Sequence, residues 1–201
     1  MTVTSIVPLD KRRSKVFLEE DFAFVLYKGE LQRYRIEEGA DLREEQYREI
    51  MTRVLPKRAI ERAVNLLKNT DKTELELRRK LREGFYPEPV IDAAVRKLTE
   101  YHFVDDSRYA ARYIELRGGR KSRRQLSCEL EQKGISREMI SELLEQYPVE
   151  EEEQIRAFLE KKHFDYVETE ARERSKLAAS LGRKGYSFDA IRHVMESMRL
   201  L

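Results

Sequence analysis

One spacing of apolar residues around a glycine occurs three times in this chain, and it narrows the possible folds more than any other feature. In the middle copy Leu130 is followed by Ile140 and Leu144, with Gly134 between them and Leu126 one helical turn ahead. Upstream Leu77, Leu81, Ile91 and Val95 hold the same places, with Gly84 between; downstream Leu177, Leu181, Ile191 and Met195 hold them, with Gly185 between. Apolar residues four apart share a helix face, and glycine tolerates the positive φ found just past a helix end. Each copy therefore reads as helix, glycine stop, helix. Three copies about 50 residues apart fit stacked multi-helix units.

In chain order, residues 1–56 stand outside the repeat. Lys15 to Tyr27 is rich in β-branched and aromatic residues and is broken by Glu20-Asp21, which predicts a short hairpin, joined by a strand near Ser5 to Leu9. Lys28 to Ile36 reads as a short helix, and Leu42 to Leu55 as a longer one with Asp41 as N-cap and Pro56 after its end. Helical periodicity then sets in with Ile60, Ala63, Val64 and Leu67, from about residue 57 to 69. Thr73 with Glu76, and Ser122 with Gln125, have the form of capping boxes at matching places before Leu77 and Leu126. Pro87 and Pro89 fall at the start of a helix running through Val90, Ile91, Ala94, Val95 and Leu98. Asp105-Asp106 opens a helix through Ala110 and Ile114 that stops at Gly118-Gly119, and Glu150 to Glu153 load a further helix N-terminus with negative charge.

The expected architecture is mainly α: three-helix repeats at 57–104, 105–148 and 149–201 in an elongated curved array, with a β-hairpin and helix (α+β) extension at 1–56. Such an array presents a long surface to a long partner.

Composition limits the chemistry. Charged residues make up 39% of the chain, yet 40 Lys and Arg against 38 Asp and Glu leave a formal charge of only +2, so any nucleic-acid role must come from local patches. The single cysteine, Cys128, makes no internal disulfide, and beside a leucine face it reads as a buried thiol. No apolar run at the start is long enough for a signal or membrane anchor, so a cytoplasmic monomer that does not engage a membrane is expected. His102, His163 and His193 lack ligand spacing with Cys128, and no nucleophile, base or metal set converges; the chain reads as no enzyme, with no cofactor. Gly118-Gly-Arg-Lys-Ser122 is not a phosphate loop, because Arg120 splits the Gly-Lys pair and a helix precedes it.

The cations are distributed with more order. Arg78, Arg79, Lys80 and Arg82 lie on the second helix of the first repeat; Arg117, Arg120, Lys121, Arg123 and Arg124 precede or begin that of the second; Arg172, Arg174 and Lys176 begin that of the third. Arg78 is one after its leucine while Arg123 and Arg174 are three before theirs, offsets that place all three on one helical face, away from the leucine stripe. The third helices are neutral or acidic and lack the side chains of a base-reading helix. A basic ridge for phosphates or an acidic protein surface competes with a plain solvated face.

These residues also carry a family resemblance. Thr73 to Gly84 (TELELRRKLREG), Phe103 to Ala110 (FVDDSRYA) and Ser127 to Ile135 (SCELEQKGI) resemble successive motifs of the RecX family, bacterial regulators of the RecA recombinase, over about residues 57 to 200. The front segment resembles an extension found in some members. Thr73 stands where serine is usual, and Arg117 to Ser122 is more basic than the usual Lys-Gly turn. The resemblance implies a non-enzymatic protein that binds the RecA filament on single-stranded DNA and restrains its growth, ATP hydrolysis and strand exchange. The residues alone leave two other readings open, a direct binder of single- or double-stranded DNA and an adaptor for another protein.

Overall fold

The β-rich opening of the chain folds as a meander of three antiparallel strands in the order β1-β2-β3, at Val3–Pro8, Arg13–Leu18 and Asp21–Tyr27. The structure is a computed structural model, and it describes residues 1–199; the last two residues of the third repeat lie outside the described residues. Both connections are local. Asp10 Oδ1 accepts the N–H groups of Arg12 and Arg13 at 2.8 Å, which holds its carboxyl below the ordinary range and shapes the first turn. Glu19 and Glu20 form the second with positive φ of 51° and 74°, the backbone that a two-residue hairpin requires.

Alternation along β2 buries Ser14, Val16 and Leu18, and β3 adds Phe24, Val25 and Leu26. Val16, Phe24 and Leu26 share one core with Leu55, Ala59 and Ala63 and with Leu77, Leu81 and Ile91. The sheet is thus built into the first repeat.

The helices of this first unit, Met1–Asp105, are α1 (Lys28–Tyr34), α2 (Glu44–Glu49), α3 (Leu55–Asn69), α4 (Glu74–Glu83) and α5 (Glu88–Glu100). Here the structure corrects the expected stop at Pro56. A π-turn at Ile50–Val54 joins α2 to α3, so the chain is helical from Glu44 to Asn69, and Pro56 sits at the start of α3. Proline has no N–H and crowds the carbonyl four residues back. The wider turn accommodates this, with the Leu55 N–H donating to Ile50 O, five residues back. The N-cap of α2 is Arg43, not Asp41. On α3 the deepest residues are Leu55, Ala59 and Ala63, with Ile60, Val64 and Leu67 half-buried alongside.

The second unit begins at Asp106 and holds α6 (Asp106–Arg117), α7 (Arg123–Gln132), α8 (Arg137–Gln146), α9 (Glu151–Lys161), α10 (Ala171–Arg183) and α11 (Phe188–Ser197). Helices α6 to α8 pack around Ile114, Leu126, Leu130 and Ile140; α9 to α11 pack around Ile155, Leu159, Leu181 and Ile191. All six repeat leucines are buried. Truncating any fully buried one to alanine removes about 2–5 kcal/mol.

The stop after each second helix has one geometry. The N–H of Tyr86, Ile135 and Tyr186 donates to the carbonyl of Leu81, Leu130 and Leu181, respectively, at 3.1–3.4 Å. The left-handed residue is the fourth after the anchor leucine. It is Gly134 (φ 89°) and Gly185 (φ 90°) in the later repeats, but Phe85 (φ 62°) in the first. Gly84, expected to take that role, has φ −83°.

Candidate functional site

Thr73 and Ser122 cap α4 and α7 as expected, each accepting the N–H of its third following residue, Glu76 and Gln125, at 3.2 Å. Those caps fix where the cationic segments begin.

On α4 the cations are held by neighbours. Arg78 bonds Glu74 at 2.8 Å and Asp92 of α5 at 2.6 Å; burial works against its charge, but these two carboxylates outweigh it and hold the guanidinium above its ordinary value. Lys80 reaches Glu83 at 2.7 Å and Arg79 the same residue at 4.0 Å. Arg82 forms a two-pronged pair with Glu88, whose carboxyl it holds low.

At the start of α7, Lys121 pairs with Glu129, which also accepts the Tyr113 hydroxyl at 2.6 Å. Arg123 donates from its side chain to Leu144 O at 3.3 Å, and from its backbone to Glu151 at 2.8 Å. On α10, Arg174 donates to Tyr166 O at 2.8 Å with the Tyr166 ring 5.0 Å away, and Lys176 pairs with Glu173 at 3.1 Å.

The matched arginines therefore do not point away from the leucine stripe. A residue one after or three before a leucine lies only about 100° or 60° round the helix from it. Arg78, Arg123 and Arg174 sit on the shoulder of the stripe and brace their own repeats. Among the described residues of the basic set, Arg117, Arg120, Arg124 and Arg172 are exposed and make no ion pair or side-chain hydrogen bond. The first three bracket the turn at Gly118-Gly119 and the first residues of α7.

That turn lies at the seam of the second and third repeats. Ser122 Oγ donates to Lys184 O at 2.7 Å, Gln154 donates to Gly118 O at 2.6 Å, and the Tyr186 hydroxyl donates to Gln154 at 2.8 Å. The turn that carries Arg120, with Arg117 and Arg124 on the helices either side of it, is thus fixed by the following repeat.

A second polar concavity, absent from the sequence reading, lies in the first unit. Arg58, Arg62, Asn65 and Asn69 run along α3 and, with Arg13, Tyr27 and Tyr86, line a groove of about 400 Å³. The available signal was their spacing of four, three and four, which puts them on one face.

Three family models match in tandem, describing the first, second and third three-helix domains of RecX, at residues 59–98, 105–144 and 150–195. The chain belongs to the RecX family. The regulatory protein RecX of Caldanaerobacter subterraneus subsp. tengcongensis is 33% identical over 195 residues, covering 95% of this chain and 96% of that one. That of Clostridium acetobutylicum is 29% identical over 205 residues, covering 98% and 96%. A crystal structure of a regulatory protein RecX superposes with a TM-score of 0.67 at 25% identity, over 97% of this chain and 98% of that one. RecX proteins are regulators of RecA, and the tandem three-helix architecture agrees with the structure described above. Among the described residues, no helix is long and apolar enough to cross a membrane.

Proposed function

We propose that this chain regulates RecA by docking on the RecA filament assembled on single-stranded DNA, and that it restrains filament growth, ATP hydrolysis and strand exchange. The observation that carries the proposal is the split among the cations. Half of the basic residues pair with carboxylates of their own repeat, whereas Arg117, Arg120 and Arg124 are exposed, make no ion pair among the described residues and lie on or beside a turn that the third repeat braces. Uncompensated guanidinium groups pair with carboxylates or phosphates in bidentate fashion and steer association with an anionic partner. Arg172 extends the set on α10. The protein acts by binding and catalyses no reaction of its own.

The test is the rate of DNA-dependent ATP hydrolysis by RecA with increasing amounts of this chain. Substoichiometric protein is expected to lower the rate. The double variant Arg120→Glu, Arg124→Glu is expected to weaken that effect while melting like the parent protein. A rate that does not change at saturating protein rejects the proposal.

A further inference from the structure

The third repeat carries an open apolar groove beside a stripe of charge that is complementary to its own reverse. We infer that this is a self-association surface, on which α11 of a second copy docks antiparallel. The inference goes beyond RecA regulation and requires nothing of RecA.

In the first two repeats an arginine crosses the groove between the second and third helices. Arg78 of α4 reaches Asp92 of α5, and Arg123 of α7 reaches Leu144 O of α8. In the third repeat the place of Arg78 is held by Ala178, and Arg174, which matches Arg123, is turned back to Tyr166. The groove between α10 and α11 is thereby left open. It measures about 430 Å³ and takes its apolar lining from Tyr166, Ala178, Phe188, Ile191 and Met195. Phe188 is 71% exposed at the start of α11, where the first two repeats have Glu88 and Arg137. An aromatic ring held in water beside an apolar groove gains free energy when something covers it.

The charges along α11 identify what covers it. Asp189, Arg192, Glu196 and, just past the helix end, Arg199 are exposed. Their spacing puts them in one stripe, within about 80° round the helix. Read backwards, the stripe keeps its spacing and exchanges every sign. An antiparallel copy with its twofold axis level with Val194 therefore sets Arg192 against Glu196 of the second copy, and Asp189 against Arg199 of the second copy. A parallel copy in register would set like against like. The same antiparallel alignment carries Phe188 of each copy toward the Tyr166 end of the other's groove, where Arg199 lies 5.6 Å from the Tyr166 ring. Within the chain Arg192 pairs with Asp189 at 2.8 Å, but these side chains are 68% and 89% exposed, so the pair contributes little and is readily exchanged. Glu196 makes no ion pair among the described residues. A stripe with both signs in balance attracts neither a nucleic acid nor an acidic tail, and suits its own reverse. Charges set the orientation of such a contact, while the apolar groove supplies its affinity. One helix and one groove make a small interface, so the dimer is weak and the expected monomer is its dilute form. A dimer holds two sets of Arg117, Arg120 and Arg124 and so engages a repeating partner at two points; that consequence rests on the function proposed above, whereas the dimer itself does not.

The test is sedimentation equilibrium of the full chain, without RecA or nucleic acid, over about 1–300 μM. The mass is expected to rise with concentration from 24.0 kDa toward that of a dimer. Phe188→Ser is expected to weaken the dimer roughly tenfold. Arg192→Glu and Glu196→Arg each set like charges opposite one another, and each alone is expected to stay monomeric. Mixed in equal amounts, the two variants restore every opposite pair and are expected to associate as the parent does. These side chains are exposed, and unchanged melting curves will show that the variants fold.

A mass that stays at 24.0 kDa throughout overturns the inference and leaves the groove to a different protein. A mixture no heavier than its two components overturns it as well, as does a dimer that Phe188→Ser and both charge variants leave intact. Growth beyond the dimer would mean a head-to-tail contact in place of a twofold one, and also overturns it. Because RecA is absent, the RecA hydrolysis assay can fail while this one succeeds, and the reverse.

Discussion

Ser122 Oγ lies 2.7 Å from Lys184 O and gives its hydrogen to it, while accepting the N–H of Gln125; one buried hydroxyl both caps α7 and seats the turn of the third repeat. The turn approaches so closely because Gly185 has no side chain. A Cβ there would lie 2.7 Å from Ser122 Oγ and 3.2 Å from Arg124 Cβ, at a φ of +90°. Gly185→Ala combines left-handed strain with overpacking and is expected to cost about 2–4 kcal/mol. Gly119→Ala meets nothing within 4 Å and is expected to change stability by less than about 0.5 kcal/mol. Thermal or urea unfolding of the two variants checks the contrast.

Removing the hydroxyl is a separate matter. Ser122→Ala loses the cap of α7 and leaves Lys184 O without this donor, expected to cost about 2–3 kcal/mol together. Hydrogen exchange should quicken both at the first turn of α7 and at the turn after α10. Quickening confined to α7 would mean that the hydroxyl serves its own helix alone.

Local devices are legible in the sequence, and distant ones are not. The leucine stripe, the boxes at Thr73 and Ser122 and the acidic start of α9 each depend on residues within one or two turns of helix, so spacing alone reveals them. Family motifs were equally legible, because they sit on those same segments. The continuity of α2 with α3 was not, because Pro56 is compatible with a helix only once the π-turn before it is known. The left-handed slot after α4 is one residue past Gly84, a shift that spacing from a glycine misplaces. The partners of the basic set were hidden for a different reason. Whether an arginine is exposed or spent on its own repeat depends on Asp92, Leu144 and Tyr166, residues that only folding brings near.

Cys128 is a case where the sequence held the answer. It is two residues from both Leu126 and Leu130, about 200° round the helix from the core, and it is exposed rather than buried as expected. Native protein is expected to react with one equivalent of a thiol reagent without loss of helical circular dichroism. Reaction only in denaturant would place the thiol back in the core.

The cluster of Lys121, Glu129 and Tyr113 makes stability depend on pH. Glu129 is held below its ordinary value, first by the Lys121 ammonium and then by the Tyr113 hydroxyl; Lys121 is held above its own by Glu129. A depressed carboxyl stabilises the fold above its unfolded value and loses that contribution as pH falls through the folded one. The loss therefore lies below the ordinary carboxylate value of about 4.3. The raised Lys121 contributes below its unfolded value and loses the contribution as pH rises through the folded one. With side chains 24% and 34% exposed, solvent screening keeps the effect to about 1 kcal/mol or less. Glu129→Gln is expected to unfold at lower urea than the parent at pH 7, and the gap should close as pH falls below about 4. A gap unchanged at pH 3 would mean that the pair does not titrate as described.

Phe85 occupies the left-handed slot that glycine fills in the other two repeats. Its φ of 62° is strained for an aromatic residue, by about 1–2 kcal/mol. It is retained against contacts with the sheet: its ring centre lies 6.4 Å from that of Phe22 at a 67° angle, and Lys15 Nζ lies 4.4 Å from the same ring. An edge-on aromatic pair and a half-buried lysine over a ring together contribute about 1–2.5 kcal/mol, enough to offset the strain. Alanine and glycine both remove those contacts, but only alanine keeps the strain. Phe85→Gly is therefore expected to be more stable than Phe85→Ala by about 1 kcal/mol, the reverse of the usual order in helices. Urea unfolding of the two variants measures the difference directly. An alanine variant as stable as the glycine one would mean that the backbone at residue 85 relaxes out of the left-handed region once the ring is gone.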